Sequence, residues 1–262
     1  MKPFYKYHGA GNDFIIFNSL KEDIELTESQ IKHLCNRHKG IGADGLMLLL
    51  KSEKFDFEMK YYNSNGKEGS MCGNGGRCII SFAYDMGIKK ERYSFLAVDG
   101  EHQGRILENQ GSEKMIELQM SDVSEVQEVN GQYVIDTGSP HYLDFQDQVE
   151  RIDVFKEGKR IRNSDSFVKE GINVNFIQEN KNKLFVRTYE RGVENETLAC
   201  GTGVTAAAMA ASIRQGFKYQ DFDIETLGGQ LNVRFKTNDG THFHQVFLSG
   251  PATFVFQGSI QK

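Results

Sequence analysis

Hydrophobic and polar residues alternate along most of this chain, and the alternation predicts a protein built mainly from β-strands. In the first half, the alternating or apolar runs predict strands at 4–7, 14–18, 46–50, 55–62 and 114–120. In the second half, they predict strands at 133–137, 174–178, 183–190, 230–235 and 243–248. The closing segment GPATFVFQGSIQK predicts a last strand that returns to the first half.

Three stretches depart from this alternation and predict helices. The first begins with the capping-box pattern Thr27-x-x-Gln30 and runs to about residue 37. The other two follow the glycine turns CGNG and CGTG, and each helical pattern ends at a glycine, Gly87 and Gly216.

The two glycine turns belong to an internal repeat. Cys200 lies 128 residues after Cys72, and each cysteine follows a strand pattern and precedes a helix. Gly100 and Gly228 both lie 28 residues past their own cysteine, in a strand–turn–strand pattern. The alternative is a coincidence between two glycine-rich turns, which the matching offsets on both sides disfavour. We therefore predict two homologous halves, 1–119 with 250–262 and 120–249.

These elements predict an α/β (α+β) fold of two pseudo-symmetric domains. We expect each domain to be a curled, mostly antiparallel sheet around a central helix. A duplicated fold of this kind offers a cleft between its halves as the natural place for a ligand.

Composition narrows the possible functions. Apolar residues make up 39% and charged residues 26% of the 262 residues, which is typical of a soluble globular protein. The net charge of −5, with no basic cluster, argues against a nucleic-acid partner. The N-terminus has no long apolar segment, and no run of about 18 apolar residues occurs. We therefore predict a cytoplasmic protein without a membrane partner.

Cysteine usage argues against a disulfide framework or a metal site. The four cysteines, Cys35, Cys72, Cys78 and Cys200, include no CxxC pair, and the histidines show no zinc-type spacing. A buried, structural thiol is the expected role for Cys35 and Cys78, which have no counterpart in the repeat.

A thiol at the first turn of a helix is favoured as thiolate by the unpaired backbone N–H groups there. The same N–H groups bind carboxylates, and neither turn has the lysine of a phosphate-binding loop. Two such thiols, acting from opposite sides of one carbon, would remove a proton from one face and deliver a proton to the other. The sequence thus predicts inversion alpha to a carboxylate, with no cofactor required. A thiol-redox or anion-binding module is the alternative, and the separation of the thiols into different halves disfavours it.

Several motifs, in order, resemble the diaminopimelate epimerase family: GAGNDF, NSNG, MCGNGGRC, GSPH and YERG…ETLACGTG. The resemblance covers essentially the whole chain. It implies interconversion of LL- and meso-diaminopimelate without a cofactor, by a homodimer that acts in lysine and peptidoglycan precursor synthesis. Proline racemases and hydroxyproline epimerases share the two-cysteine chemistry but need no grip on a distal carboxylate. PhzF-like isomerases generally lack the cysteine pair.

The resemblance also implies roles for individual residues. Cys72 and Cys200 correspond to the proton carriers, and His141 and Glu190 to polar neighbours that set which thiol is ionised. Substrate contacts are implied at Asn12, Asn63, Gly73, Asn74, Asn173, Glu190, Arg191, Gly201 and Thr202. Amides that donate and accept, with one arginine, suit a substrate that carries ammonium and carboxylate groups.

Some of these positions allow other interpretations. The alternative interpretations are a turn residue for Asn63 and a solvated loop histidine for His141, while Asp44 in GADG is expected to be a turn former rather than a catalyst. The chain departs from some family members at Gly45, where they have Gln, and at Ser139, where they have Asn. Both departures concern contacts to the distal part of the substrate.

Paired thiols are expected to be sensitive to oxidation. We predict that air oxidation joins Cys72 and Cys200 in a disulfide and abolishes epimerase activity, and that a thiol reductant restores it. The check is to assay the protein before oxidation, after oxidation and after reduction. Unchanged activity after complete oxidation would contradict paired catalytic thiols.

Overall fold

The computed structural model describes residues 1–129 and 131–261. The chain divides into two compact units. The first consists of Met1–Leu118 and the chain from Gly250 onward, and the second of Gln119–Ser249.

The first unit alternates strands with two helices. Its elements are β1 (Lys2–Gly9), β2 (Asn12–Ser19), α1 (Glu28–Cys35), β3 (Gly45–Leu50), β4 (Phe57–Asn63), α2 (Gly73–Asp85), β5 (Arg92–Ala97), β6 (Gly100–Asn109) and β7 (Glu113–Gln119). The strands pair β1–β2 antiparallel, β2–β3 parallel, β3–β4 antiparallel, β4–β5 parallel and β5–β6 antiparallel.

The second unit repeats this order with small additions. Its elements are β8 (Val126–Val129), β9 (Gln132–Asp136), β10 (Pro140–Phe145), α3 (Val154–Arg162), β11 (Asn173–Asn180), β12 (Lys183–Glu190), β13 (Asn195–Thr197), α4 (Gly201–Arg214), β14 (Asp221–Thr226) and β15 (Gly229–Lys236). A last strand, β16 (His244–Ile260), has residues in both units. Within the second unit the pairings run β9–β10 antiparallel, β10–β11 parallel, β11–β12 antiparallel, β12–β14 parallel and β14–β15 antiparallel.

The order of antiparallel and parallel pairs is therefore the same in both units. Each parallel pair is joined by a helix, as a parallel connection requires. Helices α1 and α3 occupy one such connection, and α2 and α4 occupy the other. The predicted mixed α/β fold with two repeated domains is confirmed.

Helices α2 and α4 form the centres of their units. Ile79, Ile80 and Phe82 of α2 are fully buried, and the Phe82 ring packs against the rings of Tyr5 and Tyr7. In α4 the run from Val204 to Ala211 is completely buried. Its small side chains allow strands to pack around the helix, and apolar residues on every side are typical of a helix that is buried all round.

The predicted start of α1 is confirmed, because Thr27 and Gln30 form a complete capping box. The helix ends at Cys35, two residues before the predicted end. Helix α3 was not predicted. Its buried residues, Val154, Gly158 and Ile161, form a narrow stripe among charged residues, and an interior glycine lowers helix propensity. Among the described residues, every helix is too short or too polar to span a lipid bilayer.

The C-terminal end of α2 is fixed by an ion pair. Asp85 accepts hydrogen bonds from Lys114 Nζ at 2.8 Å and from Tyr7 Oη at 2.7 Å. The Lys114 side chain is 1% exposed, so its ammonium group depends on this carboxylate and on the Gly111 carbonyl, 3.0 Å away. The pair therefore connects the last residue of α2 to β1 and β7.

We predict that Asp85→Ala lowers the free energy of unfolding by about 3 kcal/mol, because it leaves a buried ammonium group without its carboxylate. Urea denaturation is the measurement. The control is the double variant Asp85→Ala/Lys114→Met, which removes both charges and should recover part of the loss. Equal losses in the single and double variants would contradict this account.

Candidate active site

Each of the two repeat cysteines is the N-cap residue of a central helix. Cys72 precedes α2 with extended backbone angles (φ −104°, ψ 151°), and its Sγ accepts a hydrogen bond from Gly75 N at 3.3 Å. Cys200 precedes α4 with φ −115° and ψ 112°. The first-turn N–H groups of a helix have no partners within the helix, and they form the positive end of its dipole. Both thiols thus lie where the backbone favours negative charge.

In the first unit, two asparagine side chains lie beside Cys72. The Asn12 Oδ1 atom is 3.9 Å from Cys72 Sγ and accepts a hydrogen bond from Asn74 Nδ2 at 3.3 Å. Asn12 follows a two-residue turn between β1 and β2, in which Ala10 and Gly11 both have positive φ (50° and 82°). This backbone matches the right-handed twist of the two strands and brings Asn12 to the start of β2.

Asn12 is oriented by a network of charges. Its Nδ2 atom donates to Asp44 Oδ2 at 2.7 Å, and Arg37 Nη2 holds the other oxygen of Asp44 at 2.6 Å. Arg37 and Lys6 also pair with Asp13 at 2.7 and 2.6 Å. Burial raises the pKa of Asp13, but these two cations outweigh it and hold the pKa at about 2. Asp44, expected to be a turn former, therefore also positions a predicted substrate-binding amide.

The side chain of Asn74 is held by a buried arginine. Arg77 is 0% exposed, and its Nη2 donates to Asn74 Oδ1 at 2.7 Å while its Nη1 donates to the Gly73 carbonyl at 3.3 Å. Burial lowers the pKa of Arg77 to about 10, so the group stays protonated at neutral pH. The guanidinium group thus fixes the Asn74 amide and adds a positive charge in contact with the first turn of α2.

Asn63 occupies the end of β4, where it pairs in register with Gly45. The Asn63 Oδ1 atom accepts a hydrogen bond from Tyr61 Oη at 3.2 Å, and the residue is exposed. One of the two departures from the family pattern therefore lies next to a predicted substrate contact.

In the second unit, a histidine and a threonine lie beside Cys200. Thr202 Oγ1 is 3.4 Å from Cys200 Sγ and 2.9 Å from His141 Nε2. His141 is 0% exposed, so it is not a solvated loop histidine. Burial first, and the positive charge of Arg191 second, lower the pKa of His141 to about 3.

A second cluster of polar side chains joins the starts of β10 and β11 to the end of β12. Asn173 Nδ2 donates to Ser139 Oγ at 2.7 Å and to the Pro140 carbonyl at 3.0 Å. Asn173 Oδ1 accepts from the backbone N–H of Arg191 at 2.8 Å, and Arg191 Nη2 lies 3.5 Å from Ser139 Oγ. Ser139, the second position at which the chain departs from the family pattern, thus contacts both Asn173 and Arg191, two of the predicted substrate-binding residues.

Glu190 is the last residue of β12, directly before Arg191. Its Oε2 atom accepts a hydrogen bond from Thr197 Oγ1 at 2.9 Å, which ties it to the strand that leads to Cys200. Gly201 and Gly73 are the first residues of α4 and α2, so their N–H groups belong to the two helix starts.

The structure places Asn12 and Asn74 beside Cys72 at the start of α2, and His141 and Thr202 beside Cys200 at the start of α4. It joins Asn173 and Arg191 to each other through Ser139. Sequence reasoning missed Arg77 and Asn175 and undervalued Asp44. The repeat offset gives one signal for Asn175, because Met47 stands 128 residues earlier, where the first half is apolar. In the described part of the chain, no group of three or more His, Cys, Asp or Glu side chains has the arrangement of a metal site.

Comparison with known proteins agrees with these motifs. The family model for diaminopimelate epimerase matches residues 4–125 and 133–255. The chain is 44% identical over 258 residues to the diaminopimelate epimerase of Flavobacterium psychrophilum, covering 98% of this chain and 99% of that protein. It is 39% identical to the diaminopimelate epimerase of Helicobacter pylori, covering 96% and 94%.

The chain belongs to the diaminopimelate epimerase family. It is accordingly an epimerase, an enzyme of the isomerase class.

Solved structures share the fold at much lower identity. A phenazine biosynthesis protein of the PhzF family from Bacillus anthracis has a TM-score of 0.75 and 16% identity, covering 100% of this chain and 99% of that one. A hydroxyproline epimerase from Agrobacterium vitis has a TM-score of 0.71 and 14% identity, covering 98% and 91%. At these identities the likeness concerns the fold alone, which this epimerase family shares with both proteins.

The buried state of His141 predicts a pH dependence of stability. The folded pKa of about 3 lies below the ordinary value of 6.5, so the unfolded chain binds the proton more readily. The free energy of unfolding should therefore fall as the pH drops from about 6.5 towards 3, with a slope of up to about 1.4 kcal/mol per pH unit. Urea denaturation at several pH values measures this slope.

The variant His141→Gln has no ionisable group at this position. The slope of its free energy of unfolding against pH should therefore be smaller by up to about 1.4 kcal/mol per pH unit, which corresponds to one proton. The matched control is His244→Gln, which changes an exposed histidine of the same unit and should leave the slope unchanged. Parallel curves for the wild type and His141→Gln would contradict the assignment of His141 as a buried neutral group.

Proposed function

We propose that this epimerase interconverts LL- and meso-diaminopimelate, with Cys72 and Cys200 as the two proton carriers. The observation that carries the proposal is the N-cap position of both cysteines, at equivalent places of a repeated fold. The near full-length identity to proteins named diaminopimelate epimerase supports the substrate.

The reaction requires one thiolate and one thiol acting on opposite faces of the same α-carbon. The thiolate takes the proton from the Cα–H bond, and the bonding electron pair moves into the neighbouring carboxylate. The thiol then delivers its proton to the other face, which leaves the protein with the two sulfur atoms in exchanged protonation states. The reverse reaction starts from this exchanged state, so no cofactor is needed to complete the cycle.

Helix N-terminal N–H groups suit the charge that develops in this step. Negative charge grows on the substrate carboxylate as the Cα–H bond breaks, and donors placed at that carboxylate stabilise the transition state more than the ground state. We assign this role to the helix starts at Gly73 with Asn74 and at Gly201 with Thr202. In other enzymes the loss of one such donor costs about 3 kcal/mol of transition-state stabilisation.

The remaining predicted residues suit the polar ends of the substrate. Asn12, Asn63 and Asn173 supply amides that donate to carboxylates and accept from ammonium groups. Arg191 supplies a guanidinium group for a carboxylate, and Glu190 a carboxylate for an ammonium group. The hydrogen bonds that Ser139 makes with Asn173 and Arg191 hold two of these groups together.

The other two cysteines provide a contrast. Burial raises the pKa of Cys35 to about 11, and burial also raises the pKa of Cys78, which is 0% exposed. Both are therefore neutral thiols of the core. Because the cytosol keeps thiols reduced and the proposed reaction needs both thiols free, we also propose that the protein acts in the cytoplasm. We propose a homodimer on the family resemblance, which light scattering on the purified protein will test.

The main test is incubation of LL-diaminopimelate in deuterated water. We expect inversion at the α-carbon with incorporation of solvent deuterium. NMR measures the deuterium, and chiral chromatography measures the inversion. Cys72→Ala and Cys200→Ala should each slow inversion by roughly a thousandfold, because each removes one of two acid–base groups.

The matched control is Cys35→Ala, which removes a core thiol and should retain activity. Full inversion by either Cys72→Ala or Cys200→Ala would overturn the two-base assignment. A parallel incubation with L-proline tests the substrate, because inversion of proline without inversion of diaminopimelate would overturn the substrate assignment.

A further inference from the structure

A chain of hydrogen bonds leads from strand β11 to Cys200. Asn175 Nδ2 is 3.1 Å from His141 Nδ1, His141 Nε2 is 2.9 Å from Thr202 Oγ1, and Thr202 Oγ1 is 3.4 Å from Cys200 Sγ. Asn175 and His141 are both 0% exposed. Bulk water therefore does not replace either partner. Which atom donates in each hydrogen bond is set by the other hydrogen bonds that the same side chain makes.

The orientation of the Asn175 amide is fixed at both ends. Its Nδ2 atom also lies 3.2 Å from the Tyr142 carbonyl oxygen, and its Oδ1 accepts from Thr188 Oγ1 at 2.9 Å. A carbonyl oxygen only accepts hydrogen bonds, so the atom that faces Tyr142 and His141 must be the NH₂ group. Asn175 is consequently a donor to His141.

This donor determines the tautomer of the imidazole ring. A nitrogen that accepts a hydrogen bond carries no proton, so Nδ1 is the bare nitrogen of His141. The ring is neutral, because burial lowers its pKa to about 3, and its one proton is therefore on Nε2. The Nε2–H group donates to Thr202 Oγ1, which leaves the hydroxyl hydrogen of Thr202 to be directed at Cys200 Sγ. A donor aimed at sulfur favours the thiolate.

These side chains pack closely over the first turn of α4. A Cβ atom added to Gly203 would lie 3.3 Å from both Cys200 Cβ and His141 Cε1, and it would collide with Asn175 Oδ1. At the equivalent Gly75 of α2, an added Cβ would instead meet Cys72 Sγ at 3.3 Å and Met47 Sδ at 3.4 Å. The first unit thus has a thioether where the second unit has an amide.

We propose that Asn175 is a positioning residue that fixes the Nε2–H tautomer of His141 and thereby makes Thr202 a hydrogen-bond donor to Cys200. It acts through His141 and Thr202 rather than on the reacting atoms. The importance of this effect for catalysis rests on the proposed role of Cys200 as a proton carrier. The ionisable groups of the neighbouring strands β9, β10 and β12 and of the residue after β12 are Tyr133, Asp136, His141, Tyr142, Asp144, Lys183, Arg187, Tyr189, Glu190 and Arg191. A substitution at Asn175 replaces none of these residues.

The first measurement needs no variant. Nitrogen-15 NMR of the histidine-labelled protein distinguishes a protonated from a bare ring nitrogen, and His141→Gln identifies the His141 signals by their disappearance. We expect Nε2 to be protonated and Nδ1 bare at neutral pH. A proton on Nδ1 would overturn the proposal, whatever the variants show.

The second measurement is the rate of Cys200 alkylation by iodoacetamide in the reduced protein, located by mass spectrometry and followed against pH. Asn175→Leu is nearly isosteric and removes the donor, so the Nδ1–H tautomer of His141 should become populated. Alkylation of Cys200 at neutral pH should slow by roughly tenfold, because the thiolate loses a charge-assisted hydrogen bond. Unchanged alkylation and an unchanged tautomer in this variant would overturn the proposal.

Thr202→Val separates positioning from a merely structural role. It should slow alkylation by a similar factor while the Nε2–H tautomer persists, because Asn175 still donates to Nδ1. In the Thr202→Val background, Asn175→Leu should have no further effect on the alkylation rate, whereas independent structural damage would give additive losses. Additive losses would therefore overturn the proposal.

The matched control is Asn180→Leu, which makes the same change at an exposed position of the same strand and should leave both readouts unchanged. Neither readout uses substrate. Their result is therefore independent of the deuterium-exchange assay, and a failure of this proposal is distinguishable from a failure of the proposed epimerase function.

Discussion

A helix that is buried among strands must find acceptors for the N–H groups of its first turn, and the rest of this structure depends on how that is done. Serine, threonine and aspartate are the strong caps, whereas sulfur is a weak acceptor. In α2 the cap is Cys72, whose sulfur accepts a hydrogen bond from the N–H group of Gly75. A weak cap suits the proposed binding of a carboxylate at the positive end of the helix, and it places a thiol beside that end. The repeated strand order, with its parallel pairs joined by helices, presents the start of α4 with Cys200 in the same way.

How far the sequence predicts this arrangement depends on the range of the interactions. The capping box of α1, the cysteine–glycine turns and the repeat offset are local or periodic patterns, and each was found correctly. Helix α3 was missed because its buried stripe is short and contains Gly158. The partners of the predicted site residues were missed for another reason. Asn12 meets Asp44 across 32 residues and His141 meets Asn175 across 34, and single-sequence patterns do not reveal such contacts.

The two units surround their cysteines with different electrostatics on a similar backbone. Beside Cys72, the amide of Asn74 is held by the guanidinium group of Arg77, and a network of ion pairs holds the amide of Asn12 through Asp44. Beside Cys200 lies the hydroxyl group of Thr202, which in turn contacts the neutral imidazole of His141. Charged groups act over a longer range but require partners to offset their desolvation, as the Asp13 ion pairs show. The field of a neutral dipole falls off faster with distance than that of a charge, and the effect of a hydroxyl or imidazole depends on which atom its proton faces.

This difference suits the reversible two-thiol reaction that we propose. A perfectly symmetric duplication would give two thiols with the same proton affinity, whereas two-base inversion needs one thiolate and one thiol at the start of each turnover. The bias between them must also be small, because the roles exchange in the reverse direction and a deep preference would stop one direction. A single hydrogen bond to a charged partner is worth about 1.5–3 kcal/mol, which is large enough to order the protonation states and small enough for substrate binding and turnover to reverse them. An unpaired buried charge would cost more than this, so a neutral amide–imidazole–hydroxyl chain is better suited to bias the protonation state of Cys200 by a small amount.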